Sequence, residues 1–254
     1  MRICTLASGS KGNCIYVSNG ETAILIDAGL SGVEIERRLQ SQHIPIKSID
    51  AIVVSHEHAD HIQGVGILSR RHDLPVYLSP QTNDAASAPL GKIRQIRHFS
   101  CGMDFSINTL TIRPFSISHD ASDPAGFTIG SNGKKIGIAT DLGIATTMVK
   151  EHLKDCRCLI LEANHDLRML EQGPYPWPLK QRIKGRTGHL SNESSRELLM
   201  EILHDGLSHV ILGHLSETNN TPETALRVVT EKLADTRLNV TVAGQASAGP
   251  MIRL

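Results

Sequence analysis

Several things are scarce in this sequence, and each scarcity excludes something. Aromatic residues make up 3% of the 254 residues, so Ile, Leu, Val and Ala must fill the core that a 40% hydrophobic content allows. No apolar run approaches the ~20 residues of a membrane-spanning helix. The start, Met1-Arg2-Ile3-Cys4-Thr5-Leu6, lacks the apolar stretch of a secretion signal. No membrane partner is therefore expected. Formal net charge is zero, so only a local basic patch would attract nucleic acid. Five cysteines, an odd number without framework spacing, point to a reducing cytoplasm. Cys156-Arg157-Cys158 is too tight for a redox pair and reads as small core residues entering a strand. Neither linker nor repeat interrupts the chain, which reads as one domain, residues 1–254.

Against this background stands His56-Glu57-His58-Ala59-Asp60-His61. Ile52, Val53 and Val54 precede it as a buried strand. His56, His58 and Asp60 alternate but His61 does not, so a loop leaving the strand end fits better than a continued strand. Imidazole and carboxylate ligate zinc and similar divalent ions. Four such groups exceed what one tetrahedral ion with an open position needs locally. Two adjacent ions are the natural inference, with His56 and His58 on one and Asp60 and His61 on the other. The helical zincin motif is not met, because position 60 is Asp.

Read in order, strands are predicted at 2–6, 14–18 and 22–27, the last ending in Asp27-Ala28-Gly29. The first two flank Ser8-Gly9-Ser10-Lys11-Gly12-Asn13, either a hairpin turn or a backbone cradle for an anion. A helix over about 32–41 precedes a strand at 51–54; a short helix at 64–72 and a strand at 75–79 follow. Residues 92–118 read as several strands, ending at His119. A hairpin at 126–140 turns at Asn132-Gly133 and ends near Asp141. A helix of about 145–154 leads to a strand at 158–161 and then Glu162-Ala163-Asn164-His165-Asp166. Gly173-Pro174-Tyr175-Pro176-Trp177-Pro178 is predicted to be neither regular helix nor central strand. Lys180, Arg182, Lys184 and Arg186 follow with no intervening acid. A helix capped by Ser191 or Asn192 is expected to stop at Gly206. A strand at 209–212 runs to Gly213-His214-Leu215-Ser216. The next helix is capped by Asn220 in a capping box with Glu223, or by Thr221 before Pro222. A terminal strand spans 238–243. Strands that first meander and then alternate with helices suggest two helix-covered sheets.

His56, His58, Asp60, His61, His119, Asp141 and His214 all stand at or just beyond apolar strands, where they can gather on one sheet edge. The order His-x-His-x-Asp-His, then His, Asp and His at strand ends, resembles the metallo-β-lactamase superfamily over essentially the whole chain. That resemblance implies an α/β four-layer αβ/βα sandwich. It implies that His56, His58 and His119 hold one metal, that Asp60, His61 and His214 hold a second, and that Asp141 bridges them. Zinc or manganese, with iron also accepted, would serve. Asp27 matches the family's early aspartate, which supports a ligand by hydrogen bonding.

Gly188-His189-Leu190-Ser191-Asn192 is similar to the histidine loop of tRNase Z-like phosphodiesterases. Together with Ser8, Asn13, Glu162, His165, Ser216 and Asn220, it resembles the YycJ/WalJ group. The chain lacks the large insert of β-CASP nucleases and a long tRNA-gripping arm. The resemblance implies a 5′-to-3′ DNA exonuclease with a metal-bridging hydroxide as nucleophile. Asp60 or Asp141 would orient that hydroxide, and His189 would act as general acid on the departing O3′. Trp177, Lys180 and Arg182 fall in a segment suited to stacking on bases and contacting phosphates, or in a surface loop with Trp177 tucked into the fold. His165 is expected to buttress a ligand or meet substrate, not to bind metal. The same core in a small-substrate hydrolase, acting on a cyclic phosphodiester, thioester or lactone, is the alternative.

Overall fold

A computed structural model describes residues 1–233 and 237–254. Its strands form two seven-stranded sheets. The first holds β1 (Arg2–Ala7), β2 (Cys14–Ser18), β3 (Ala23–Ile26), β4 (Ala51–Val53), β5 (Val76–Leu78) and β6 (Ile96–His98), with β14 (Ile252–Arg253) on the edge beside β1. The second runs in sequence order from β7 (Phe105–Ile107), β8 (Leu110–Ser116) and β9 (Ala125–Ser131) through β10 (Lys134–Ala139) and β11 (Cys158–Glu162) to β12 (His209–Gly213) and β13 (Asn239–Val242). Each sheet follows one plan. Antiparallel hairpins come first (β1–β2–β3; β7 to β10), and parallel strands joined by helical crossovers follow (β3 to β6; β10 to β13). The β9–β10 turn carries positive φ at both Asn132 (50°) and Gly133 (72°), as a two-residue hairpin loop demands.

Alternation along the parallel strands builds three apolar layers. Ile24, Ile26 and Val53 of the first sheet face Ile138, Ile160 and Ile211 of the second in a central core. The intervening Leu25 and Ile52 pack outward on α1 (Gly32–Ser41), α3 (Val65–His72) and α4 (Pro80–Leu90), and α2 (Ala59–Ile62) joins that layer through Ile62. Leu159, Leu161 and Leu212 pack outward on α5 (Thr147–Leu153), α8 (Asn192–Ile202) and α9 (Pro222–Thr230). Strands buried on both faces explain the unbroken apolar runs of the sequence. Two short helices, α6 (Leu167–Gln172) and α7 (Trp177–Lys184), lie between β11 and α8. Phe127 meets Phe99 edge-on in the central core at 5.7 Å, and its truncation to Ala would cost about 3–5 kcal/mol. Among the described residues no helix is long and apolar enough to cross a membrane.

Several expectations change. Helix α4 was not anticipated: Ser79 caps it by accepting from Thr82 N–H and Pro80 opens it, but Asn83, Asp84 and Pro89 resemble breakers. Gly206 does not end α8, which stops at Ile202 with Leu203 as C-cap. Thr221, not Asn220, caps α9. Pro178 lies in the first turn of α7, where its missing N–H costs nothing, so the proline-rich stretch starts a helix. All five cysteines are free, and burial pushes Cys156 and Cys158 each up to about 12.

Candidate metal centre

Three site residues share one backbone device. Asp27, Asp141 and His214 follow β3, β10 and β12, and each has left-handed φ (59°, 59° and 56°). Such residues are costly unless the surroundings hold them, and they cluster at functional sites. Each turn aims a side chain back over the carboxyl ends of the parallel strands. After β4 the chain stays extended through His58 and then closes into α2, with His61 and Ile62 N–H donating to His58 O. Asp60 and His61 therefore lie on a helical turn rather than in an open loop, which is why His61 breaks the alternation. Gly29 makes room for this turn, because a Cβ there would stand 1.6 Å from Asp60 O.

The first group is His56, His58 and His119. His58 Nδ1 lies 3.1 Å from His56 Nε2 and 3.2 Å from His119 Nε2. Nitrogens bound to one tetrahedral ion at 2.0–2.1 Å stand about 3.3 Å apart, so the spacing suits an ion. In two of the rings the other nitrogen is engaged: His56 Nδ1–H donates to Ser55 Oγ (2.9 Å), and His119 Nδ1–H to Gly188 O (3.4 Å). Burial lowers the pKa of both rings, for His56 well below its ordinary value with the neighbouring imidazoles adding to the effect. Both are thus held neutral, the form that binds metal.

The second group is Asp60, His61 and His214. Asp60 Oδ2 is 3.6 Å from the Nε2 of each histidine. Asp141 stands between the groups: its Oδ2 is 3.4 Å from His61 Nε2, and its Oδ1 is 3.8 Å from His119 Nε2. His61 Nδ1–H donates to Asp27 Oδ2 (2.8 Å), and Asn13 Nδ2 covers His61 Nε2 at 3.1 Å. Burial disfavours charge on His61, but Asp141, Asp27 and Asp60 outweigh it and raise the ring to about 9. His214 is likewise raised well above its ordinary value, against burial, by Asp141, Asp60 and Glu162. Asp60 and Asp141 stay below the usual carboxylate range despite burial, through the same histidines. The pocket thus stabilises positive charge. Among the described residues Asp141 Oδ2 and His214 Nε2 are buried with no hydrogen-bond partner, so both keep an uncommitted atom for a cation. Donor chemistry, spacing and orphaned atoms all fit divalent metal.

Glu162, fully buried, ties this cluster to His189. Its Oε1 accepts from His189 Nδ1–H (2.8 Å) and His214 Nδ1–H (2.9 Å), and its Oε2 from the N–H of Leu142 (2.7 Å) and Leu190 (3.2 Å). Burial opposes protonation of His189, but Glu162 outweighs it and raises the ring above its ordinary value. His189 N–H donates to Ile183 O (2.9 Å), and a Cβ at the preceding Gly188 would meet that oxygen at 2.2 Å. The His189 ring stands 5.2 Å from the His119 ring and 5.1 Å from the His214 ring, and all three line a cavity of about 260 Å³.

The remaining predicted residues mostly brace this arrangement. Ser8 Oγ accepts from His214 N–H (2.8 Å). Asn192 and Asn220 pair their side-chain amides reciprocally, and Asn220 also donates to Ala163 O. Ser191 caps α8, and Ser216 Oγ accepts from Asn219 N–H while lining the cavity. His165 stands outside the candidate metal groups; its carbonyl accepts from Asn192 N–H, and burial lowers its pKa to about 4. In the glycine-rich loop the N–H groups of Ser8, Gly9, Lys11, Gly12 and Asn13 are used internally, and Ser10 lines the cavity. Trp177 is 69% exposed, not tucked in. Lys180 Nζ donates to Glu171 O, and Arg182 Nε to Asp120 Oδ2 (2.6 Å). Two participants escaped the sequence reading. Ser55 links Asp27 to His56, and Asp120 lines the cavity beside His119. A lone serine carries no signal, but Asp120 directly follows a ligand-type histidine.

Residues 22–214 match the β-lactamase superfamily domain. The chain is 36% identical over 237 residues to exodeoxyribonuclease YycJ of Bacillus anthracis, covering 92% of this chain and 90% of that protein. It is 36% identical over 241 residues to exodeoxyribonuclease WalJ of Streptococcus pneumoniae serotype 2 (strain D39 / NCTC 7466), covering 93% and 90% respectively. In fold it is similar to the metallo-β-lactamase fold protein YhfI from Bacillus subtilis, with a TM-score of 0.77 at 15% identity, covering 98% of this chain and 99% of that one.

Proposed function

The chain belongs to the β-lactamase superfamily, and on that premise we propose that it is a metal-dependent exodeoxyribonuclease that removes nucleotides from 5′ ends. The observation that carries this reading is His189, fixed by Glu162 at 2.8 Å and lining the same cavity as Asp60. A proton donor facing a cation cluster suits cleavage of a phosphodiester. The end-to-end similarity to two exodeoxyribonucleases supports DNA as the substrate. Both sheets contribute ligands, which supports reading residues 1–254 as one domain. Free cysteines fit the cytoplasm.

His56, His58 and His119 would hold one divalent ion, Asp60, His61 and His214 the other, and Asp141 would lie between them. Zinc, manganese and iron all suit this donor set. Bound ions would supply Lewis acidity, lowering the pKa of water toward neutrality and offsetting charge that builds on the phosphoryl oxygens. The protein does the rest. Asp60, whose side chain is 25% exposed, orients the attacking water; Asp141 is more deeply buried and lines the same cavity. The water gives one proton to solvent; as its oxygen bonds to phosphorus and the bond to O3′ breaks, His189 delivers a proton from Nε2 to O3′ and regains one from solvent. Its Nδ1–H stays on Glu162, which keeps the ring aimed.

The test is digestion of duplex DNA labelled separately at each end, by metal-loaded protein. Stepwise loss from the 5′ end is expected, with His189→Ala slower by about 10²–10⁴-fold and Asp60→Ala inactive. Turnover of a small phosphodiester without any cleavage of DNA would refute the assignment.

A further inference from the structure

Helix α7 is the unusual part of the cavity wall. It has no buried residue, yet its Leu179 and Ile183, four apart, line the cavity together with Tyr175, which stands two residues ahead of the helix. A helical stripe ordinarily packs into a core; this one faces the candidate metal cluster. Arg182, beside the stripe, uses only Nε, on Asp120, and its side chain is 62% exposed, so its terminal nitrogens can donate elsewhere. Between Leu167 and Gly188 the chain carries Arg168, Lys180, Arg182, Lys184 and Arg186 against Glu171 alone, in a molecule of zero net charge. The cavity thus has a cation-binding polar side, an apolar side and one arginine, Arg182, in its wall.

That combination matches one nucleotide. Resting on the nuclease reading above, we propose that α7 and the turn before it form the nucleoside subsite: the base of the 5′-terminal nucleotide stacks on Tyr175 against Leu179 and Ile183, while Arg182 holds a backbone phosphate. Position sets which nucleotide it is. His189 N–H is bonded to Ile183 O, so the stripe adjoins the group that protonates the departing O3′, and that oxygen belongs to the 5′-terminal nucleotide. At about 260 Å³ the cavity falls below the usual 300–1,000 Å³ of ligand pockets, so it takes one nucleotide of a strand rather than the paired end.

Binding separates this from a merely structural role. The probe is a fluorescent duplex whose first linkage carries a bridging methylene in place of O3′, which blocks cleavage and keeps the charge. Its terminal 5′ nucleotide is either ordinary or abasic, and affinity for the metal-loaded chain is read by anisotropy. Tyr175→Ala should weaken the ordinary terminus by about 5- to 100-fold, and Tyr175→Phe should bind as wild type. On the abasic terminus the Ala variant and wild type should bind alike, since there is no base to lose. Arg182→Ala should reduce the slope of log affinity against log salt by about 0.9. Equal weakening by Tyr175→Ala on both termini, or none on either, would overturn the subsite while leaving wild-type DNA cleavage intact. A wild type that neither binds nor cuts any duplex would instead sink the nuclease reading, and this inference with it.

Discussion

Asp27→Asn is a one-atom change with a consequence that can be worked out from the hydrogen bonds. Asp27 is 3% exposed. Its Oδ1 accepts from Ser55 N–H (2.7 Å), and its Oδ2 accepts from Ser55 Oγ–H (2.8 Å) and His61 Nδ1–H (2.8 Å). Asparagine has nearly the same shape and tolerates the left-handed backbone at this position. If its oxygen keeps the Ser55 N–H, its amide nitrogen must face His61 Nδ1. That nitrogen must then accept, which moves the ring proton to Nε2, the atom near Asp60 and Asp141. A protonated Nε2 cannot bind a metal. Loss of such a supporting partner typically costs 10–100-fold in metal affinity, about 1.4–2.7 kcal/mol. Exchanging charged for neutral hydrogen bonds should also cost about 1–3 kcal/mol of folding stability. Calorimetric titration of metal-free protein should show one ion weakened by that factor and the other changed less. Two ions bound with wild-type affinities, alongside a lowered Tm, would refute the tautomer reasoning and leave Asp27 a purely structural role.

Two further outcomes follow from single contacts. Gly29→Ala places a methyl group 1.6 Å from Asp60 O, so urea unfolding should show a loss above about 4 kcal/mol, or no folded protein. The Glu34 carboxylate accepts from Arg37 and Arg38, and these bonds outweigh burial to hold it at about 2 against an ordinary 4.5. Its contribution to stability is therefore complete above about pH 4.5 and is lost as pH falls toward 2. The Tm difference between wild type and Glu34→Gln should shrink over that window; a difference independent of pH would contradict it.

Much of the candidate site is legible because its ligand-type side chains cluster in sequence and follow apolar strands. His56, His58, Asp60 and His61 are four of the gathered side chains, and His119, Asp141 and His214 each extend a strand that periodicity finds. What periodicity cannot give is the turn itself. The left-handed residues at Asp27, Asp141 and His214 look like ordinary strand ends in sequence, and only tertiary contacts hold them there. The same limit hid Ser55, whose role depends on lying between Asp27 and His56. Helix α7 is hidden in sequence because Pro176 and Pro178 resemble breakers, whereas one precedes the helix and the other fits its first turn. Its apolar stripe faces a cavity instead of a core, which no single-sequence pattern reveals.

The most direct measurement is metal content per chain, with anomalous scattering to locate each ion, for wild type, His119→Ala and His214→Ala. Two ions are expected in wild type. One should lie among His56, His58 and His119, and the other among Asp60, His61 and His214, with Asp141 between them. Each variant should retain the ion of the other group. A single ion in wild type, an ion held by other residues, or variants that keep both ions would contradict the assignment.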